Sequence, residues 1–273
     1  MASSGKKQPV VFVSHGGGPS FFMSAKEMPL FKAVDKDSPA ADYMRSMAKK
    51  EGLTSHKAIL VVSAHWEEAV VTVQTTPKPD LYFDYYGFPD NMYKLKWPAT
   101  GAPDLANRTR DLLESKGIKC ATNEKRGYDH GVFVPLKLIF PEPKVSLDAS
   151  LSTERHLALG EALTSLREEG VLIIGSGFTT HRGMGGREAP DHGKNLQVWL
   201  HDVLKNPDLT PEERRARLAS CHRDPRVQEA HPRIEHFLPL LVVMAAGGYK
   251  PGKVLFSVPV FKGGLLEHYM IED

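Results

Sequence analysis

Val10-Val11-Phe12-Val13-Ser14-His15-Gly16-Gly17-Gly18-Pro19 decides the fold. Its first four residues form an unbroken apolar run, the pattern of a strand buried on both faces, and the three glycines mark a sharp backbone turn at its end. His15 therefore stands at the C-terminal lip of that strand. Ala58-Ile59-Leu60-Val61-Val62-Ser63-Ala64 repeats the arrangement and runs into His65 and Trp66. Two neighbouring strands of an α/β sheet that deliver histidines to the same edge place both imidazoles in one crevice, where such sheets hold their ligands. A shared imidazole pair of this kind points to a metal.

Outward from these stretches, strand and helix signals alternate. Ser38 and Pro39 open a helix from Pro39 to about Ala48, closed by Gly52. Val70–Gln74 reads as a further strand. Thr76 to Pro103, rich in Pro, Tyr, Asp and Gly, reads as one long irregular loop whose Tyr82, Phe83, Phe88 and Trp97 pack over a pocket. Pro103 to Lys116 is an amphipathic helix ended by Gly117, and Ile118–Thr122 is a strand. Val132–Phe140 is a short buried helix that His130 precedes, with Pro135 in its first turn. Val145–Leu147 is a strand, Thr153 to Glu169 a helix capped by Ser152 and closed by Gly170, and Val171–Ser176 the next buried strand.

Beyond it, Gly183–Gly186 reads as flexible, and residues 193 to 222 as charged helices on a solvated outer face, Pro211 opening the second. From Pro232 onward, Ile234, Phe237, Leu238, Leu241, Val242 and Ala245 recur at helical spacing, which predicts a helix ending at Gly247 and kinked by Pro239. His236 falls in its early turns, where the helix dipole keeps the imidazole neutral and able to coordinate a cation. Lys253–Val258 is a strand, and Gly263 to Asp273 carries no clear pattern. With neither repeat nor low-complexity linker, the alternation predicts one domain over residues 1–273, a three-layer α/β/α sandwich around a mixed, largely parallel central sheet.

The chain holds 12 His, so some must fall beside apolar runs by chance. Repetition is what singles out five of them. His15 and His65 follow strands, His130 lies in Gly-Tyr-Asp-His-Gly, His181 follows the run beginning at Val171, and His236 lies in Glu-His-Phe-Leu-Pro-Leu. Small neighbours around most of these let a ligand approach closely. On the residues alone the third metal ligand stays open between His236, Glu235 and His231. A helix turns about 100° per residue, so Glu235 and His236 cannot both face one ion.

Composition narrows the partners. At 273 residues and 41% hydrophobic the chain can bury a full core. Lys+Arg 35 against Asp+Glu 33 leaves a net charge of +2, which gives no field for nucleic acid or an anionic membrane, so the expected partner is a small molecule. The expected assembly is a monomer or homodimer. Two cysteines, Cys120 and Cys221, form no CxxC spacing or disulfide framework, which fits a reducing cytoplasm. Residues 1–9 lack the apolar core of a signal peptide, and no apolar run approaches the roughly 18 residues of a membrane span.

Six motifs in order, Ser-His-Gly-Gly-Gly-Pro, Val-Ser-Ala-His-Trp, Tyr-Gly-Phe-Pro, Tyr-Asp-His-Gly-Val-Phe-Val-Pro-Leu, Gly-Ser-Gly-Phe-Thr-Thr-His and Glu-His-Phe-Leu-Pro-Leu, resemble those of the class III extradiol ring-cleavage dioxygenases. The resemblance runs from about Val10 to Gly248 and points within that family toward the 4,5-DOPA extradiol dioxygenases. It implies that His15, His65 and His236 hold the metal, that His181 is the active-site base, and that His130 faces the bound substrate and dioxygen. The chain has Arg182 where many relatives have Asn after the histidine, and Arg182 there can pair with the carboxylate of a catecholic amino acid.

The implied chemistry is insertion of O2 into a catechol such as L-DOPA, outside its two hydroxyls, at a non-haem Fe(II), with Zn(II) able to occupy the same three histidines. A neutral histidine near pH 7 suits removal of a catechol proton. Two other classes share the residues. A zinc hydrolase needs a water-activating carboxylate beside the ligands, for which Glu67 is the near candidate. A non-catalytic metal-binding scaffold, the use to which the mediator-of-cell-motility proteins put a similar fold, needs neither His130 nor His181, yet both are present.

Overall fold

The computed structural model describes residues 7–141, 143–148, 153–182 and 191–273. The apolar run from Val10 lies in strand β1 (Val10–Ser14), all five residues buried. α1 (Pro39–Lys50) follows, its first turn capped by the Ser38 side chain accepting from the Ala41 N–H. β2 (Ala58–Ser63) and β3 (Val71–Gln74) come next, then a two-residue β4 (Thr100–Gly101), α2 (Pro103–Ser115), β5 (Cys120–Asn123), α3 (His130–Ile139), β6 (Lys144–Asp148), α4 (Thr153–Leu163) and β7 (Val171–Gly177). The chain closes with α5 (His192–Leu200), α6 (Pro211–Ala219), α7 (Pro225–Ala230), α8 (Leu238–Ala246), β8 (Lys253–Val260) and β9 (Gly264–Ile271).

Seven strands form the central sheet in the order β4-β6-β2-β7-β1-β9-β8, while β3 and β5 pair separately in parallel. The first five are parallel; β9 and β8 are antiparallel. Because successive side chains point to opposite faces, each central strand feeds two cores. Val10, Phe12, Leu60, Val62 and Ile173 pack on the side of α4 and α8. Val11, Val13, Ile59, Val61, Leu172 and Ile174 pack on the side of α1 and α3. Helices on both faces of a mostly parallel sheet are the three-layer α/β/α sandwich expected, with the mixed sheet also as expected. Among the described residues no helix is long and apolar enough to cross a membrane.

Several expectations are corrected. The tail after Gly263 is β9, fully buried and inserted between β1 and β8. Its apolar run is broken by Glu267 and His268, which are also buried, so the pattern of alternation that marks a strand is absent. The helix expected from Pro232 starts only at Leu238, and Pro239 sits in its first turn, where the missing N–H costs nothing, so it opens the helix without kinking it. All nine residues of α8 are buried, which removes the one-sided stripe. His236 therefore precedes the helix.

α3 begins two residues earlier than expected, with His130 as its first residue and Asp129 as its cap, which puts Pro135 in the helix interior. The segment 76–103 is not one irregular loop: it contains a 3₁₀ turn (Asp90–Lys94) and β4, and Tyr85 and Trp97 are buried. The helix expected over Thr153–Glu169 turns into a 3₁₀ segment (Thr164–Arg167) before Gly170. The supposed outer face of residues 193–222 buries Leu196, Trp199, Leu200 and Arg214, and α7 follows it unforeseen. Ser152 and Gly183–Gly186 lie outside the described residues.

Candidate metal centre

β1 and β2 lie on either side of β7, all three parallel, with Ser14 in register with Gly177 and Ser63 with Ser176. Their C-terminal ends therefore meet at one edge. The His15 N–H donates to the Gly177 carbonyl at 3.0 Å and the Ala64 N–H to the Ser176 carbonyl at 2.9 Å, so the ladder extends past each strand and fixes the backbone beside each histidine. The third imidazole arrives from the turn before α8. There the His236 carbonyl accepts from the Phe178 N–H at 3.0 Å, pinning the turn to the end of β7. A Cβ on Gly177 would stand 2.1 Å from that carbonyl, so only glycine admits this approach.

The result is convergence of three Nε2 atoms. His65 Nε2 lies 3.0 Å from His15 Nε2 and 3.2 Å from His236 Nε2. Burial, then the neighbouring imidazoles, hold His15 and His236 well below the usual histidine range, and burial followed by His130 brings His65 down to about 3. The three rings are neutral for this reason rather than through the helix dipole.

The tautomers follow from the partners. Pro135 has no N–H to give to the Gly131 carbonyl, four residues back, so that carbonyl accepts the Ser176 hydroxyl instead. The hydroxyl is thereby left to accept from His15 Nδ1 at 3.1 Å. His236 Nδ1 donates to Glu235 Oε1 at 2.8 Å. With the proton on Nδ1, both rings turn an Nε2 lone pair toward His65, and lone pairs do not bond one another. A cation between them resolves the clash: nitrogens about 2.1 Å from an ion and at about 90° stand roughly 3.0 Å apart. The donor set fits a divalent ion that accepts imidazole, iron or zinc.

His130 and His181 complete the crevice. His130 Nδ1 and its backbone N–H both donate to Asp84 Oδ1 at 2.8 Å, and its ring lies 3.9 Å from that of His65. Burial pushes the Asp84 carboxyl up, but bonding to His130 outweighs this and holds it below the usual range. His181 is the exposed member, its side chain 46% accessible, its ring stacked 3.5 Å from that of His236 and its Nδ1 3.4 Å from Glu235 Oε1. Glu235 behaves like Asp84: burial raises its carboxyl, and bonding to His181 and to its own backbone N–H, with Arg233 nearby, more than compensates.

The five histidines converge beside a cavity of about 270 Å³, which four of them line and which is walled by Leu30, Phe31, Phe178 and Phe261. At Gly18, with φ +52°, a Cβ would meet the Phe88 ring at 2.7 Å, so the glycine turn lets the aromatic segment close over this wall. Arg182 stands at the mouth with Nη1 bonded to the Glu229 carbonyl at 2.7 Å.

The other candidates lie elsewhere. His231 is buried with Nε2 bonded to the Thr179 carbonyl at 2.8 Å, outside the trio. Glu235 orients an imidazole rather than joining the three Nε2 atoms, and Glu67 is engaged by Arg233. Sequence reasoning missed Asp84 and Ser176. The signal for Asp84 is a single acid inside the aromatic run Leu81-Tyr82-Phe83-Asp84-Tyr85-Tyr86; Ser176 had none beyond ending a buried strand.

The family model of the catalytic LigB subunit of aromatic ring-opening dioxygenase matches residues 10–263. The chain is 36% identical over 258 residues to the 4,5-DOPA dioxygenase extradiol of Beta vulgaris, covering 91% of this chain and 90% of that protein. It is 34% identical to the protein of the same name from Portulaca grandiflora, over 85% and 87% of the two chains. The crystal structure of an uncharacterized protein from Escherichia coli K12 shares the fold, with TM-score 0.74, 22% identity and coverage of 97% and 100%.

Proposed function

This chain belongs to the family of the catalytic LigB subunit of aromatic ring-opening dioxygenases, and from that membership we propose that it cleaves a catechol such as L-DOPA with O2, acting as one catalytic domain over residues 1–273 in the cytoplasm. The observation that carries the reading is the convergence of three neutral imidazoles, two with Nδ1 held away, beside an aromatic-walled cavity. His15, His65 and His236 would hold Fe(II); Zn(II) fits the same donors and is inert in this role. When bound, Fe(II) supplies Lewis acidity toward the catechol hydroxyls and a route for electron density from ring to dioxygen.

The chain's own residues do the rest. His181 takes a hydroxyl proton at Nε2, and its exposure lets that proton exchange with solvent. His130, locked to Asp84 through Nδ1, turns a bare Nε2 to the substrate side, where it accepts a hydrogen bond from a catechol hydroxyl. Phe31, Phe178 and Phe261 pack the ring and exclude water. Arg182, at the mouth, pairs with the carboxylate of a catecholic amino acid.

Anaerobic reconstitution with Fe(II), followed by oxygen and a panel of catechols, should yield a yellow ring-opened semialdehyde. A blank across the panel in protein carrying stoichiometric iron would overturn catalysis in favour of a scaffold. Arg182→Gln should raise KM for DOPA about tenfold while barely moving that for 4-methylcatechol, since only DOPA loses a charge-assisted contact. Equal effects on both would remove Arg182 from substrate recognition.

A further inference from the structure

We propose that Asp84 and Glu235 are positioning residues, each dividing one carboxylate between a metal-holding histidine and a proton-handling histidine, so that the tautomers of both are set together. The proposal rests on the roles given above to the five histidines. Glu235 Oε1 lies 2.8 Å from Nδ1 of His236 and 3.4 Å from Nδ1 of His181. Asp84 accepts from His130 Nδ1 at 2.8 Å through Oδ1 and places Oδ2 3.8 Å from His65 Nδ1. The same pairing is thus built twice, from segments 151 residues apart.

An ionised carboxylate only accepts, so the Nδ1 atoms within its hydrogen-bond reach, those of His130, His181 and His236, must carry the proton, and at 3.8 Å the charge of Asp84 favours the same placement on His65. The Nε2 atoms of His130, His181 and His236 are then unprotonated. For His181 this decides competence. The catechol O–H bond breaks with its electron pair left on oxygen, the N–H bond forms at Nε2, and the resulting imidazolium keeps its Nδ1 proton against Glu235. With the other tautomer, Nε2 already carries a proton and the ring is no base toward substrate.

Glu235 Oε2 has no hydrogen-bond partner among the described residues, and Arg233 Nε stands 3.8 Å from it, so the side-chain hydrogen bonding of this carboxylate runs to the imidazoles through Oε1. Base and ligand therefore share one oxygen, and charge gained by His181 is felt at His236. An imidazole held for structure alone would need neither the sharing nor its repetition.

Nitrogen NMR of the Zn(II)-loaded protein, labelled at histidine, reads the tautomers directly. Protonated Nδ1 with bare Nε2 at His130 and His181 is expected; the reverse at either overturns the proposal for its carboxylate. Glu235→Ala and Asp84→Ala should each weaken Zn(II) binding, followed by chelator competition, by about 10–100-fold. At saturating Fe(II) each should also lower kcat by about tenfold or more with KM nearly unchanged. Glu235→Gln and Asp84→Asn keep an acceptor without the charge, and should restore most of the Zn(II) affinity while kcat stays low. Loss of affinity with normal kcat would mean that the carboxylate serves the metal-holding histidine alone, and would overturn the sharing. Should the Ala variants fail to fold, the wild-type tautomers and the amide variants decide. A wild-type protein that cleaves no catechol would refute ring cleavage, while the tautomer and Zn(II) readings would still judge this proposal.

Discussion

His15 and His65 stand at the ends of parallel strands, whereas His181 and His236 stand on backbone with no regular structure, and the two halves of the centre are held by different means. In the strand half, the ladder itself places the Cα atoms, and one serine hydroxyl, redirected by a proline, suffices to turn His15. In the irregular half, Glu235 bonds His236 at 2.8 Å and lies 3.4 Å from His181, which also stacks on His236, whereas the carboxylate facing the strand half, Asp84, stands 3.8 Å from His65. Regular backbone fixes position cheaply; where it is missing, charged hydrogen bonds replace it, and each is a point of sensitivity to substitution.

The largest effect expected ignores this division. His15→Ala, His65→Ala and His236→Ala should each abolish stoichiometric iron or zinc while the fold persists, as read by elemental analysis and circular dichroism. Full metal content in His236→Ala would break the comparison, because the irregular half would then be dispensable to the ion. Next in size, His181→Ala should keep its metal and bind catechol yet lose turnover by roughly 10²–10⁴-fold. Metal loss in that variant would instead make His181 a ligand.

A smaller effect sharpens the strand half. Ser176→Ala removes the acceptor of the His15 Nδ1 proton and leaves the Gly131 carbonyl unpaired, and should weaken Zn(II) binding by about 10–100-fold. Unchanged affinity would mean that the ladder alone orients His15. The smallest effect lies behind the strand half, where His268 Nδ1 accepts from the Ser14 N–H at 3.1 Å and burial brings the imidazole down to about 3. The folded protein keeps this ring neutral while the unfolded chain protonates it below about pH 6.5, so its contribution is complete above that pH and is lost as pH falls from there toward 3. Between pH 7.5 and 5, wild type should lose about 2 kcal/mol more stability than His268→Gln in urea melts. Parallel losses would show that His268 does not titrate on unfolding.

The same division explains what the sequence reveals. β1, β2 and β7 are buried on both faces and read as continuous apolar runs, so the histidines after them were legible at once. His236 was legible as a residue but not in its setting, since Leu238, Leu241, Val242 and Ala245 of α8 continue the helical spacing of Ile234 and Phe237 in the turn before it. Asp84 is recruited by long-range packing of an aromatic segment, and no local periodicity carries that information. β9 is hidden for a related reason: Glu267 and His268 look like surface residues, and only their hydrogen-bond partners, among them Gln197, Ser257 and Ser14, make them acceptable inside.

The insertion of β9 beside β1 also has a temporal consequence. Phe12 pairs with Tyr269, so on the ribosome the first strand waits for almost the whole of the described chain before that edge is covered. At about 5–20 residues per second the wait is on the order of ten to fifty seconds, during which the strand leading to His15 is an unpaired apolar edge. Such contacts between distant residues slow folding and expose the nascent chain to aggregation, and productive synthesis should depend on chaperone supply more than the stability of the finished sheet would imply.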